Sequence, residues 1–148
     1  MNQSHNNTLY EKDFDRWAQQ QAQLLREGRF SELDTHNLAE EIKDMGKHES
    51  RALTSHLMQL LMHLLKWHYQ PKRQSRSWQD SIINHRFQIT GLLSENPGLK
   101  SQLPELYTKA YNQAKQLAEK QTDIAASTFP KQPPWSLDQI MTDGFLPE

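Results

Sequence analysis

Arg51 and His56, within Arg51-Ala52-Leu53-Thr54-Ser55-His56, have the residue types needed for metal-free cleavage of a phosphodiester. The guanidinium can hold a scissile phosphate. The imidazole, with an ordinary pKa near 6.5, can move a proton at a 2′-hydroxyl or a leaving oxygen. A five-residue step turns two side chains about 140° apart on an ideal helix, and with seven arginines and seven histidines in the chain a chance spacing is the competing reading. A second group lies downstream. Lys66 precedes, and Lys72, Arg73, Arg76 and Trp78 belong to, the segment Pro71-Lys72-Arg73-Gln74-Ser75-Arg76-Ser77-Trp78, which leads into a predicted helix whose free N–H groups and dipole favour phosphate. Trp67, Tyr69 and Trp78 offer stacking faces for bases. The competing reading has Lys72 and Arg73 complementing the negative end of the preceding helix, the tryptophans in the core and the arginines paired with acids.

Two further clusters read more plainly. His36, Glu40, Asp44 and His48 recur every four residues, a donor set acceptable to zinc, iron or manganese. No Glu-x-x-His occurs anywhere, so a solvated polar stripe is the better reading, and no metal ligand and no cofactor is assigned. His56, Gln59, His63 and Lys66 follow the flank of a leucine stripe, where they form a rim, a small buried network or a site; buried histidines are most often hydrogen-bonded core residues. Gly-rich phosphate loops, nucleophile elbows, HExxH patterns and EF-hand loops are missing from the sequence.

The elements that must position these groups are helices. The chain has 148 residues, 35% of them apolar, a mean hydropathy of -0.90 and a formal net charge of -1. That length predicts one compact domain, and near-neutral charge removes the self-repulsion that keeps weakly hydrophobic chains open. Valine is absent while Leu, Gln, Ala, Glu and Lys abound, which favours helix. Phe14, Trp17, Gln21, Leu24 and Leu25 predict a first helix stopped by Gly28. Asp34 or Thr35 can cap a long second helix to Tyr69, with Leu38, Ile42 and Met45 as its first stripe, Leu53, Leu57, Leu60, Leu64 and Trp67 as its second, and Gly46 as a possible kink. Ser77 is a cap candidate for a third helix carrying Trp78, Ile82, His85, Ile89 and Leu92. Pro104 opens a fourth, with Tyr107, Ala110, Ala114, Leu117, Gln121 and Ile124. The Pro-rich tail should be extended and held by aromatics, with a short helix over Leu137–Met141. The expected fold is all-α: an antiparallel bundle of four main helices with this tail packed across it, residues 1–9 disordered and residues 10–148 one domain.

Three stretches also resemble a known family: Tyr10-Glu11-Lys12-Asp13-Phe14 with Trp17; Gly28-Arg29-Phe30-Ser31-Glu32-Leu33-Asp34 running into Asn37-Leu38-Ala39-Glu40-Glu41-Ile42; and Leu64-Leu65-Lys66-Trp67-His68-Tyr69-Gln70-Pro71 with Arg76-Ser77-Trp78. Ser127-Thr128-Phe129-Pro130 and Asp143-Gly144-Phe145-Leu146-Pro147 fit the same pattern. Together they resemble the bacterial family called domain of unknown function 29. The resemblance implies a small all-helical bacterial protein and brings with it no activity, cofactor or catalytic set. Separately, the Arg51 and His56 pairing resembles the core motif of HEPN ribonucleases, themselves helical bundles, although Ala52 stands where that motif usually has a polar side chain.

Cysteine is absent, which excludes disulfide scaffolds, thiolate metal sites and cysteine nucleophiles. No stretch reaches the ~20 mainly apolar residues of a membrane span, and residues 1–8 have neither a basic nor an apolar signal region, so a cytoplasmic protein is expected. Charge is uneven: residues 32–44 hold five acids and one base, whereas residues 63–86 hold Lys66, Lys72, Arg73, Arg76 and Arg86 against Asp80. The function these features favour is a non-catalytic helical module that binds another protein or a second copy of itself. The alternative is a nucleic-acid-binding protein, at its sharpest a metal-independent ribonuclease.

Overall fold

The computed structural model describes residues 9–148, and the chain divides into two compact units, 1–47 and 48–148. The disorder expected for residues 1–9 lies outside the described residues except at Leu9, which belongs to a helical turn over 9–12. No strand occurs among the described residues, so the fold is all-α, as the sequence predicts.

In the first unit, α1 (Phe14–Arg26) starts where the Asp13 carboxylate accepts the Arg16 N–H at 3.2 Å. It stops at Gly28, whose φ of 70° needs no Cβ, and the Arg29 N–H then closes on the Leu24 carbonyl at 2.9 Å. After a 3-10 turn at Phe30–Glu32 comes α2 (Thr35–Tyr69), 35 residues that run on into the second unit. Asp34, 1% exposed, caps α2 and joins it to α1. Its carboxylate accepts the Trp17 indole N–H at 3.0 Å, the Asn37 amide at 2.8 Å and the Asn37 backbone N–H at 3.4 Å, while its own N–H donates to Gln21 Oε1 at 2.8 Å. A buried carboxylate is tolerable because donors converge on it.

The stripe expected of Leu38, Ile42 and Met45 is not a buried one: Leu38 is half-buried, and Ile42 and Met45 are 65% and 71% exposed. Asp34, Asn37 and Glu41, which takes the Tyr10 hydroxyl, form the face that meets α1 and the turn before it. Ile42 sits about a quarter-turn round from that face and Met45 one turn beyond Glu41.

In the second unit the rest of α2 is the central element. Leu53, Leu57, Leu60, Leu61, Leu64 and Leu65 are all fully buried, with Met62 and Trp67 close behind. A helix apolar on most of its circumference must be covered on most of its circumference. Gly46 lies within an unbroken helical run. A 3-10 turn at Pro71–Arg73 leads to α3 (Arg76–Glu95), which contributes Ile82 and Ile89. Its cap is Ser75, whose hydroxyl accepts the Trp78 N–H at 3.3 Å, two residues earlier than the predicted Ser77. A six-residue 3-10 stretch, Pro97–Gln102, connects to α4 (Leu103–Thr122), with Pro104 in its first turn and Ala110, Ala114 and Ala118 fully buried. Small side chains there let α4 approach the core closely. A left-handed Asp123, φ 62°, ends α4 without a glycine.

Residues 126–148 then pack against the core as expected, through a 3-10 turn at Ala126–Thr128, Phe129 and the short α5 (Leu137–Met141) with buried Ile140. α5 opens with a capping box between Ser136 and Gln139. The tail's carbonyls are bonded from below: the Tyr107 hydroxyl donates to Trp135, the Tyr111 hydroxyl to Pro130 at 2.6 Å, and Arg86, only 7% exposed, donates to Ile140 at 2.6 Å and Phe145 at 2.5 Å. Arg86→Met leaves two of these carbonyls without their donor and should lower stability by about 2–4 kcal/mol, whereas Tyr111→Phe, losing one neutral hydrogen bond, should cost about 1 kcal/mol. Urea unfolding followed by circular dichroism measures both, and equal effects would show that the arginine is not the main tail anchor.

Candidate functional site

The polar flank of α2 meets α3 in the second unit. His56, Gln59, His63 and Lys66 follow one another at three- and four-residue spacing, and α3 brings His85 and Trp78 against them. His56 Nδ1 and His85 Nδ1 are 3.0 Å apart, so one ring donates and the other accepts, and a single proton serves the pair. His63 stacks on His85 at 6.3 Å between ring centroids and its Nδ1 lies 2.8 Å from the Gln59 carbonyl. That contact requires Nδ1–H and leaves Nε2 as the bare nitrogen of the neutral ring.

The neighbours acting on His85 and His63 are cationic groups. Burial, with repulsion from His56 and then His63, pushes the His85 imidazole down to about 4. Burial lowers His63 as well, with nearby Lys66 adding to it, and burial alone lowers Lys66. The Lys66 ammonium lies 4.8 Å from the centre of the Trp78 ring and donates to Gln121 Oε1 on α4 at 3.0 Å.

The predicted phosphate-binding group is therefore split. Lys66 and Trp78 are engaged with each other, Arg76 pairs with Asp80 at 3.1 Å on its own exposed helix face, and Lys72 and Arg73 stand exposed on the Pro71–Arg73 turn without an ion pair among the described residues. Gln74 ties that turn to α2 by donating to the Trp67 carbonyl at 3.1 Å. The stacking faces expected of Trp67 and Tyr69 are used internally: Trp67 is buried, and Tyr69 meets Phe129 edge-on at 5.0 Å.

Arg51 and His56 do not converge. His56 faces α3, whereas Arg51 lines a groove between α2 and α4 together with Lys109 and Gln113, an outcome that follows from the five-residue step along one helix. His36, Glu40 and Asp44 are exposed in the first unit, and His48 pairs with Glu49 at 3.3 Å in the second. No group of three or more His, Asp or Glu gathers for a metal ion among the described residues. Nor, among them, is any helix long and apolar enough to cross a membrane.

Arg86 and Tyr111 were missed as anchors. Both carried a signal: Arg86 falls four residues after Ile82 and three before Ile89, and Tyr111 four after Tyr107 and three before Ala114, all buried positions.

A family model described as domain of unknown function DUF29 matches residues 9–146. The chain belongs to the DUF29 family. Comparison with curated proteins and with solved structures found no match. The DUF29 match takes in the histidine seam, the basic turn and the anchored tail as far as Leu146.

The seam sets a direction for stability against pH. His85 binds its proton near 4 when folded and near 6.5 when unfolded, so between those values the unfolded chain holds more protons. Stability should therefore be greatest above about pH 6.5, fall as pH drops towards 4, and lose nothing more from this group below that; His63 acts in the same direction. Urea midpoints across this range should slope less in His85→Gln, which keeps a hydrogen-bonding partner for His56 but cannot titrate. An unchanged slope would remove the seam as its source.

Proposed function

We propose that this DUF29 chain is a non-catalytic helical interaction module, binding another protein or a second copy of itself through apolar side chains carried on helix surfaces. The observation supporting this is where the scarce apolar residues go. In a chain of mean hydropathy -0.90, Ile42 and Met45 are 65% and 71% exposed and Ile83 and Phe87 are 54% and 74% exposed. Each pair stands one turn apart on its helix, forming a short apolar strip, and Phe14, Leu25 and Phe30 add exposed apolar surface in the first unit. Apolar area kept in water gains free energy when a partner covers it, about 25 cal/mol per Å². Divergence of Arg51 from His56 speaks against the ribonuclease reading within one chain.

Double variants Ile42→Ser/Met45→Ser and Ile83→Ser/Phe87→Ser, checked for unchanged helix content, test the proposal. Self-association in light scattering, or retention of an identified protein on the immobilised chain, should fall at least about tenfold in one of them, as the loss of two central apolar contacts predicts. A strictly monomeric chain with no retained protein that depends on these residues overturns it.

Nucleic-acid binding is the second reading, supported by the exposed Lys72 and Arg73, which form no ion pair among the described residues. It requires RNA binding that weakens with salt and is lost in Lys72→Gln/Arg73→Gln; binding insensitive to both removes it.

A further inference from the structure

Arg51, set aside by its divergence from His56, has different company. It lines an open groove of about 340 Å³ between α2 and α4, in the size range of small-molecule sites. Lys109 reaches the same groove from α4, and Thr54, Gln113, Met58 and Leu106 are among its walls. No acidic side chain lines it, and neither Arg51 nor Lys109 has an ion-pair partner among the described residues. Two like charges on neighbouring helices thus share a groove without a counter-ion among the described residues. Their spacing is held by the core beneath, where Leu53 and Leu57 of α2 and Ala110 and Ala114 of α4 are fully buried. Each cation lies within a turn of these packed positions, so both are rooted on a fixed part of the fold.

We propose that this groove binds a small organic phosphomonoester. A guanidinium presents a planar fork to two phosphate oxygens and an ammonium adds a compact charge beside it, which together suit a dianion better than a lone carboxylate. Met58 and Leu106, both half-buried, supply an apolar wall for the organic part of the ligand. The Thr54 hydroxyl spends its proton on the Ser50 carbonyl at 2.9 Å, so its oxygen is left as an acceptor for a ligand hydroxyl, and the Gln113 amide can donate or accept. The site is separate from the basic turn, whose Lys72 and Arg73 do not line it, and from the apolar strips proposed for protein binding.

Calorimetric titration with phenyl phosphate and with inorganic phosphate tests the assignment on the full chain. Phenyl phosphate should bind saturably and about tenfold or more tighter than inorganic phosphate, because only it can use the apolar wall. Arg51→Gln and Lys109→Gln, both at exposed positions and checked for unchanged helix content, should each weaken it about tenfold, while Lys72→Gln/Arg73→Gln should leave it unchanged. Equal affinity for the two ligands overturns the organic-ester assignment. Absence of saturation up to tens of millimolar, or weakening only in the Lys72 and Arg73 variant, overturns the site.

Discussion

Burial of a nearly continuous leucine surface on α2 is the constraint that organises the second unit. From Leu53 to Leu65 the buried positions fall on both sides of the helix axis, so one neighbour cannot cover them. α3 supplies Ile82 and Ile89, α4 supplies three alanines beside Tyr107 and Tyr111, and the tail closes what they leave open with Phe129 and Ile140. Among the described residues, the first unit has no comparable core. Trp17 and Leu24 are its buried apolar side chains among the described residues, and its order rests on a hydrogen-bonded carboxylate, Asp34, as much as on hydrophobic area.

The tail brings a problem of its own. An extended, proline-rich segment laid on a core carries backbone carbonyls that no helix or sheet satisfies. Tyr107, Tyr111 and Arg86 meet that requirement from α4 and α3, each with an apolar or stem-like body in the core and a polar tip aimed at the tail. Burial and the need for a donor therefore select the same residue types, which explains why polar groups occupy positions that helical spacing assigns to the interior.

What could be read in the sequence divides along the same line. Gly28 as a stop, α2 ending at Tyr69, the Leu53 to Trp67 stripe and the Leu137–Met141 helix are local matters of spacing and capping, and local spacing is what a sequence displays directly. Periodicity tells which residues share a face; whether anything covers that face is a separate matter, hence Ile42 and Met45 in solvent. The histidine pair links positions 29 apart, and the arginine's acceptors lie 54 and 59 residues away on main-chain carbonyls, which carry no residue-type signature. Of the candidate site, the basic character of the 63–86 segment was legible, but its division into an internal seam and an exposed turn was not. Arg51 is recognisable in the sequence as a phosphate-directed side chain, while its partner across the groove, Lys109, sits 58 positions on and has nothing local to mark it.

The tail's dependence on α3 and α4 also orders events during synthesis. Residues 86, 107 and 111 leave the ribosome well before the carbonyls they serve, at 130, 135, 140 and 145. Until that last stretch emerges, a nascent chain holds a guanidinium and two phenols bonded to water in place of their native acceptors, and a leucine surface with part of its cover missing. The native cover of the second unit is therefore complete only once residue 145 has emerged, and before that part of its leucine surface faces water, the exposure that makes partly folded chains prone to aggregate.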